Sequence, residues 1–196
     1  MASYNALAAI PAAIRGLLHE RYPRDQFGPS LKIATVQPKD IEGLTEDGIA
    51  ILLWRIAMNT QRRGLAPRTD LFGRRFKASL PVDVSILIIP YAGNSAETQL
   101  KLAGWAMRAL ADAGPICASQ LNNYLAEDDV FADNEELDLI CDPLALADYL
   151  SLWDRLKKFP LSVNYVARMT LIDSQQQLTE SAPVVERQFD LGAVEQ

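Results

Sequence analysis

The residues able to do chemistry are few, and their spacing excludes most enzymes. A single histidine, His19, stands between Leu18 and Glu20. Any Ser-His-Asp or Cys-His centre would have to use it, and the chain offers no nucleophile elbow to accompany it. At the end of a helical segment, His19 is expected to be a surface residue whose charge suits a helix C-terminus. Zinc sites built on several histidines or on paired cysteines are excluded by the same inventory. Cys117 and Cys141 lie far apart in apolar or mixed segments and read as buried, reduced thiols. The ten glycines never form Gly-x-Gly, which removes the dinucleotide fingerprint and the phosphate loop. The expectation is a chain with no catalytic residue, no metal and no cofactor.

Charge is more informative. Between Arg55 and Lys77 there are seven basic residues and one acid, Asp70. This basic loop, residues 59–77, reads either as a solvated hairpin tip or as a docking surface for an acidic partner, through Arg62, Arg63, Arg74 and Arg75. Residues 127–138 hold seven acids and no base. Without glycine at the sixth position they do not make an EF-hand loop, so they read as a solvated acidic loop. The net charge of −6 has the wrong sign for a general nucleic-acid binder. No apolar run approaches the ~18–20 residues that span a bilayer. Met1 to Leu18 lacks a basic n-region and carries Arg15, so it does not read as a signal peptide.

The elements that would position these groups follow from periodicity. Ser3 can cap a first helix with Leu7, Ile10, Ile14, Leu17 and Leu18 on one face. Pro11 must either kink that helix or begin it, and Tyr22-Pro23 ends it. Leu31–Val36 reads as a short strand and Lys39–Gly48 as a loop. The nearly continuous apolar run Ile49–Met58 reads as a strand covered on both faces. Leu80–Tyr91 is the clearest strand, with Val82, Val84, Ile86 and Ile88 alternating on one side. Asn94 and Glu97 resemble a capping box. The helix after them is apolar over far more than the ~100° arc a surface helix needs. It should therefore lie between two layers or at a subunit contact, with Trp105 beside its charged strip.

Ile116–Leu125 reads as a short amphipathic piece and Leu137–Cys141 as a strand. Asp142 and Pro143 are expected to cap and open a helix in which Leu146, Tyr149, Leu150, Trp153 and Leu156 pack into the core. Pro160–Asp173 alternates as one long strand that must outrun its sheet or curve. Its two sides read Leu161, Val163, Tyr165, Ala167, Met169, Leu171 and Ser162, Asn164, Arg168, Thr170. Residues 183–191 carry a weak strand pattern with Val184, Val185, Phe189 and Leu191. They read as a frayed terminus, an edge strand of the same domain, or an arm that adds a strand to another sheet. One domain of α/β or α+β class is expected, built for assembly more than for catalysis.

Four blocks in order extend this reading. They are Ile51–Arg63 (Ile-Leu-Leu-Trp-Arg-Ile-Ala-Met-Asn-Thr-Gln-Arg-Arg), Leu80–Ala92, Leu102–Leu110, and Leu152–Leu156 followed by Leu161–Ser174. Their order and spacing over residues 3–174 resemble the cap, or tail terminator, of phage-tail-like contractile injection systems of the antifeeding-prophage and virulence-cassette type. The strongest are the Trp-Arg-Ile/Asn-Thr-Gln-Arg-Arg and Leu-Ser-Val-Asn-Tyr segments. The third strand departs from the family, reading Ile-Leu-Ile-Ile where relatives carry an aromatic triplet.

The resemblance implies a mixed, largely antiparallel sheet flanked by helices. It implies a terminator domain over residues 1–174 and a C-terminal extension or arm over 175–196; in a second departure from the family, no separate C-terminal membrane-anchoring domain of the kind some relatives carry is expected after the last strand. It further implies a non-enzymatic homo-hexameric ring that closes the distal end of an inner tube and its sheath. Such a ring would assemble in the bacterial cytoplasm as part of the particle, able to be released with it, with partners limited to itself, tube and sheath, and without nucleic acid or membrane insertion. Arg62, Arg63, Arg74, Arg75, Trp105, Val184, Val185, Phe189 and Leu191 are the expected contact residues. The alternative is a cytosolic adaptor that reads an acidic protein through the basic loop.

Overall fold

Alternation along two apolar strands decides the architecture. In a computed structural model, which describes residues 4–62, 64–70, 72–93, 95–125, 130–133, 135–155 and 160–178, β2 (Gly48–Met58) pairs antiparallel with β5 (Leu80–Tyr91) along nearly its whole length. Side chains on β2 take opposite sides of the sheet in turn: Ile49 and Ile51 enter one apolar cluster, Ala50 and Leu52 another. The sheet continues through β8 (Val163–Ile172), β7 (Glu136–Cys141) and the short β6 (Ile116–Cys117), all antiparallel. On the far edge β1 (Lys32–Thr35) lies parallel to β2, giving the order β1-β2-β5-β8-β7-β6. A separate hairpin pairs β3 (Arg68–Thr69) with β4 (Arg75–Phe76). The expected mixed, largely antiparallel sheet with flanking helices is present.

The larger cluster is roofed by α1 (Ala6–Glu20), α3 (Ala96–Ala113) and α4 (Ala118–Asn123). Ile10, Ile14 and Leu18 of α1 are fully buried against Ile49, Ile51, Ile86 and Ile88. Each such aliphatic side chain stabilises the fold by roughly 1.5–3 kcal/mol. The helix runs through Pro11 rather than starting there, with Asn5 at its N-cap. Ser3 lies outside the described residues. A short α2 (Arg24–Phe27) follows, and a 3-10 helix over Pro38–Gly43 replaces part of the expected loop. The smaller cluster on the other face holds Ile41, Ala50, Leu52, Leu87, Ile89 and Tyr91, with Leu152 of α5 (Leu146–Arg155) packed on its margin. At Gly48 any Cβ would collide with the Lys32 carbonyl oxygen and the Tyr91 ring, so only glycine lets β1 and Tyr91 close in there.

Two bulges curl the sheet. In β2 the register shifts between Leu53 and Arg55. In β8, Arg168 and Met169 together stand opposite Asp83, Met169 adopts φ 56°, and its N–H donates to Asp83 Oδ1 at 3.0 Å. One extra residue reverses the phase of every side chain beyond it. The expected alternation therefore fails past residue 168: Thr170, expected on the side of Asn164, is 4% exposed on the opposite side, facing the main core opposite Val82. The strand itself is Val163–Ile172, shorter than the expected Pro160–Asp173.

Asn59 joins this node, its amide donating to both Asp83 oxygens at 3.1 and 3.0 Å. Trp54 Nε1 donates to Asn164 Oδ1 at 2.9 Å, while the Asn164 amide donates to the Asp142 carbonyl at 2.8 Å. The two segments that carry the resemblance most strongly thus meet through Trp54 and Asn164.

The remaining expectations shift in detail. The cap of α3 is Ser95, whose hydroxyl accepts from Thr98 N–H at 3.1 Å; Asn94 lies outside the described residues. Both cysteines are exposed rather than buried, because Cys117 precedes α4 and Cys141 ends β7 at the surface. Pro143 does not open α5, which starts three residues later at Leu146. Among the described residues no helix is long and apolar enough to cross a membrane.

Candidate functional site

The basic segment forms a built hairpin beyond the end of β5, with Asp70 as its organiser. One Asp70 oxygen accepts from the N–H groups of Phe72 and Arg74 at 2.9 and 2.8 Å, and the other from Arg74 Nε at 2.7 Å. Gly73, at φ 78°, supplies the left-handed residue this turn requires. Desolvation works against the Asp70 charge, but the hydrogen bonds from Arg74 and Phe72 outweigh it and hold the pKa below the ordinary carboxylate value. Arg74 lies over Phe72 and Phe76, and Arg68 lies over Phe76 while pairing with Asp173 at 3.5 Å. Arg62 and Arg75 are exposed. The four expected docking arginines therefore divide: Arg74 holds the hairpin, Arg62 and Arg75 face solvent, and Arg63 lies outside the described residues.

The acidic segment is anchored, not simply solvated. Val130 and Phe131 are buried in the main cluster, and the Asn122 side chain exchanges two hydrogen bonds of 3.0 Å with the Phe131 backbone. Its acids Asp133, Glu135 and Glu136 line, with Arg62, Arg68 and Arg74, a single cavity of about 1010 Å³. The two oppositely charged loops thus come together at one end of the sheet within one chain.

Two helices present apolar residues outward. Trp105 of α3 is half-buried in an aromatic group with Tyr22 and Phe27, at centroid distances of 5.9 and 6.2 Å. Leu100 and Met107 of the same helix are exposed, while Leu102, Ala106, Ala109 and Leu110 are buried. This helix is not enclosed between two layers, so the remaining expectation for its wide apolar arc is a subunit contact.

The expectation for α5 is overturned. None of its residues is buried; Leu146 is 72% exposed, Leu150 and Trp153 53%, and Tyr149 38%. Leu152 and Asp148 turn toward the body instead. The cause is that the small cluster beneath is already closed by Ile41, Leu44, Leu144 and Leu152. Periodicity reports that a face wants cover; it does not say which molecule provides it. Leu156 lies outside the described residues, as do Val184, Val185, Phe189 and Leu191.

No curated protein matches this chain. Among solved structures, the fold is similar to the sheath/tube terminator of the extracellular contractile injection system PVC in its extended state, with TM-score 0.62 and 14% identity. That likeness covers 96% of this chain and 64% of the terminator. It is likewise similar to the tube-terminating cap of the anti-feeding prophage, with TM-score 0.59, 14% identity, and coverage of 97% and 62%. This chain thus spans somewhat under two thirds of the length of either. Residues 9–186 match the family model of the Pvc16 N-terminal domain, and the chain belongs to that family.

Proposed function

We propose that the chain is a terminator cap: one subunit of a hexameric ring that closes the distal end of the inner tube and sheath of a contractile injection system. The observation that carries this reading is family membership over residues 9–186, together with a fold shared with two such terminators. The role is structural and non-enzymatic, assembly takes place in the bacterial cytoplasm, and the partners are further copies of the chain, the tube protein and the sheath protein.

The surfaces suit that role. A closed ring needs two different faces meeting head to tail. The exposed stripe of α5, the outward residues of α3 around Trp105, and the basic hairpin with Arg62, Arg63, Arg74 and Arg75 are candidate faces. Residues 1–174 act as the terminator domain, and residues 175–196, with Val184, Val185, Phe189 and Leu191, as an extension that binds a partner.

A monomeric adaptor reading an acidic protein through residues 59–77 is the competing role, favoured by the exposure of Arg75 and of Arg62, the latter lining the charged cavity. Light scattering on the purified chain, alone and mixed with its tube, separates the two. A cap gives ring-sized species in at least one sample, whereas an adaptor remains at the 21.7 kDa of one chain in both.

A further inference from the structure

The sheet has an unfinished edge. β1 covers β2 only from Gly48 to Ile51, and after the Val36 N–H donates to the Ile51 carbonyl at 3.0 Å the chain turns away into the 3-10 helix at Pro38. From Leu53 to Met58 no described strand pairs with β2 on the side away from β5. Those six residues present about 20 Å of open backbone at ~3.3 Å each. Left bare, such an edge is a template for another strand.

The side chains beside this edge are apolar and uncovered. Ile56 stands opposite Val84 and Met58 opposite Val82, so both share the face of the main core, yet they are 53% and 64% exposed. Where β1 stops, a groove of about 480 Å³ opens between α1 and β2, lined by Leu7, Ala8, Pro11, Val36 and Leu53. Arg55, opposite Ser85, lies on the other face and is exposed. The site therefore asks for an extended segment that is apolar on one side and acidic on the other.

We propose that this edge takes the segment Pro183–Leu191 of a neighbouring copy of the chain as an added strand. In extended form that segment puts Val185, Phe189 and Leu191 on one side, interrupted by Arg187, and Val184, Glu186, Gln188 and Asp190 on the other. The first side covers Leu53, Ile56 and Met58; Glu186 and Asp190 fall on the side of Arg55. Residues 179–196 carry four acids against one base, complementary to the basic stretch Arg55–Lys77.

The last described residues are held on the separate hairpin and not on the six-stranded sheet, and a head-to-tail ring favours a neighbour's edge over their own. Lys77 N–H donates to Gln176 O and Leu178 N–H to Arg75 O, so the chain at Leu178 runs antiparallel to β4. Donor tail and acceptor edge are then the two unlike halves of one head-to-tail contact. The inference rests on the proposed ring.

The test uses full chains in a Cys117→Ser/Cys141→Ser background, which removes the two exposed native thiols. One preparation carries Met58→Cys, the other Phe189→Cys; they are mixed and treated with a short bis-maleimide, and the untreated mixture is sized by light scattering. The expected result is a cross-linked product of two chains. It should be lost when the tail also carries Gln188→Pro, which removes a ladder donor without touching the folded domain. Rings without a cross-link between copies overturn the inference and leave the ring reading intact. A monomer without a cross-link, both alone and in the presence of the tube, overturns both. A chain bearing both cysteines that cross-links only within itself shows that the tail covers its own edge, and also overturns the inference.

Discussion

Two helices of this chain carry the same sequence signal and meet opposite fates. In α1 the apolar stripe is spent inside the molecule: Ala6, Ala9, Ile10, Ala13, Ile14, Leu17 and Leu18 are all at most 4% exposed. In α5 an equally regular stripe, Leu146, Tyr149, Leu150 and Trp153, faces solvent, with Tyr149 and Trp153 in contact at 6.1 Å. The first holds one chain together. The second is left as exposed apolar surface, and on the proposed reading it and the β2 edge are where other chains dock.

The largest expected effect lies on the α1 side. Ile14→Ala leaves a cavity under a fully buried position and should cost about 2–5 kcal/mol of stability in denaturant titration. The corresponding change on α5, Leu150→Ser with Trp153→Ser, should shift stability by only about 0.5 kcal/mol, as exposed substitutions do. It should nevertheless remove the chain from assembled particles. A loss of stability as large as that of Ile14→Ala would erase the contrast between the helices.

The hairpin sharpens it next. Changing Arg62, Arg63, Arg74 and Arg75 together to glutamate should abolish incorporation while circular dichroism still reports a folded chain. Each single change should cost only ~0–1 kcal/mol, because exposed pairs are weak. Undiminished incorporation of the quadruple variant would show that the hairpin only faces water.

The smallest effect is a pH response confined to the hairpin. Asp70 has its pKa lowered from 3.8 in the folded chain, so its contribution is present above that value and is lost as pH falls through the folded pKa. Amide protection at Phe72 and Arg74, taken relative to the intrinsic exchange rate at each pH, should therefore fall on acidification ahead of protection in β5. Asp70→Asn should leave those two amides poorly protected at every pH, and an unchanged profile would contradict the assignment.

How much of this was readable in the chain differs by element. β5 appears in the sequence with its observed ends, Leu80 and Tyr91, and β2 within one residue, because long apolar alternation has one structural meaning. The bulge at Arg168–Met169 left no such mark: a one-residue offset depends on Asp83 and Asn59 arriving from other strands. The exposure of α5 was equally hidden, since its moment specifies a face but not a partner. The charged loops were legible as charge. Their meeting over one cavity depends on where β4, β7 and β8 end, which composition does not encode.

The central claim is that these unfinished surfaces belong to a terminator. Its most direct test is electron microscopy of particles from cells that lack this chain, beside particles from cells that have it. The account predicts tubes and sheaths of irregular length, or open and unstable at one end, with capped particles of uniform length restored when the chain is supplied again. Normal, uniformly capped particles in its absence would contradict it.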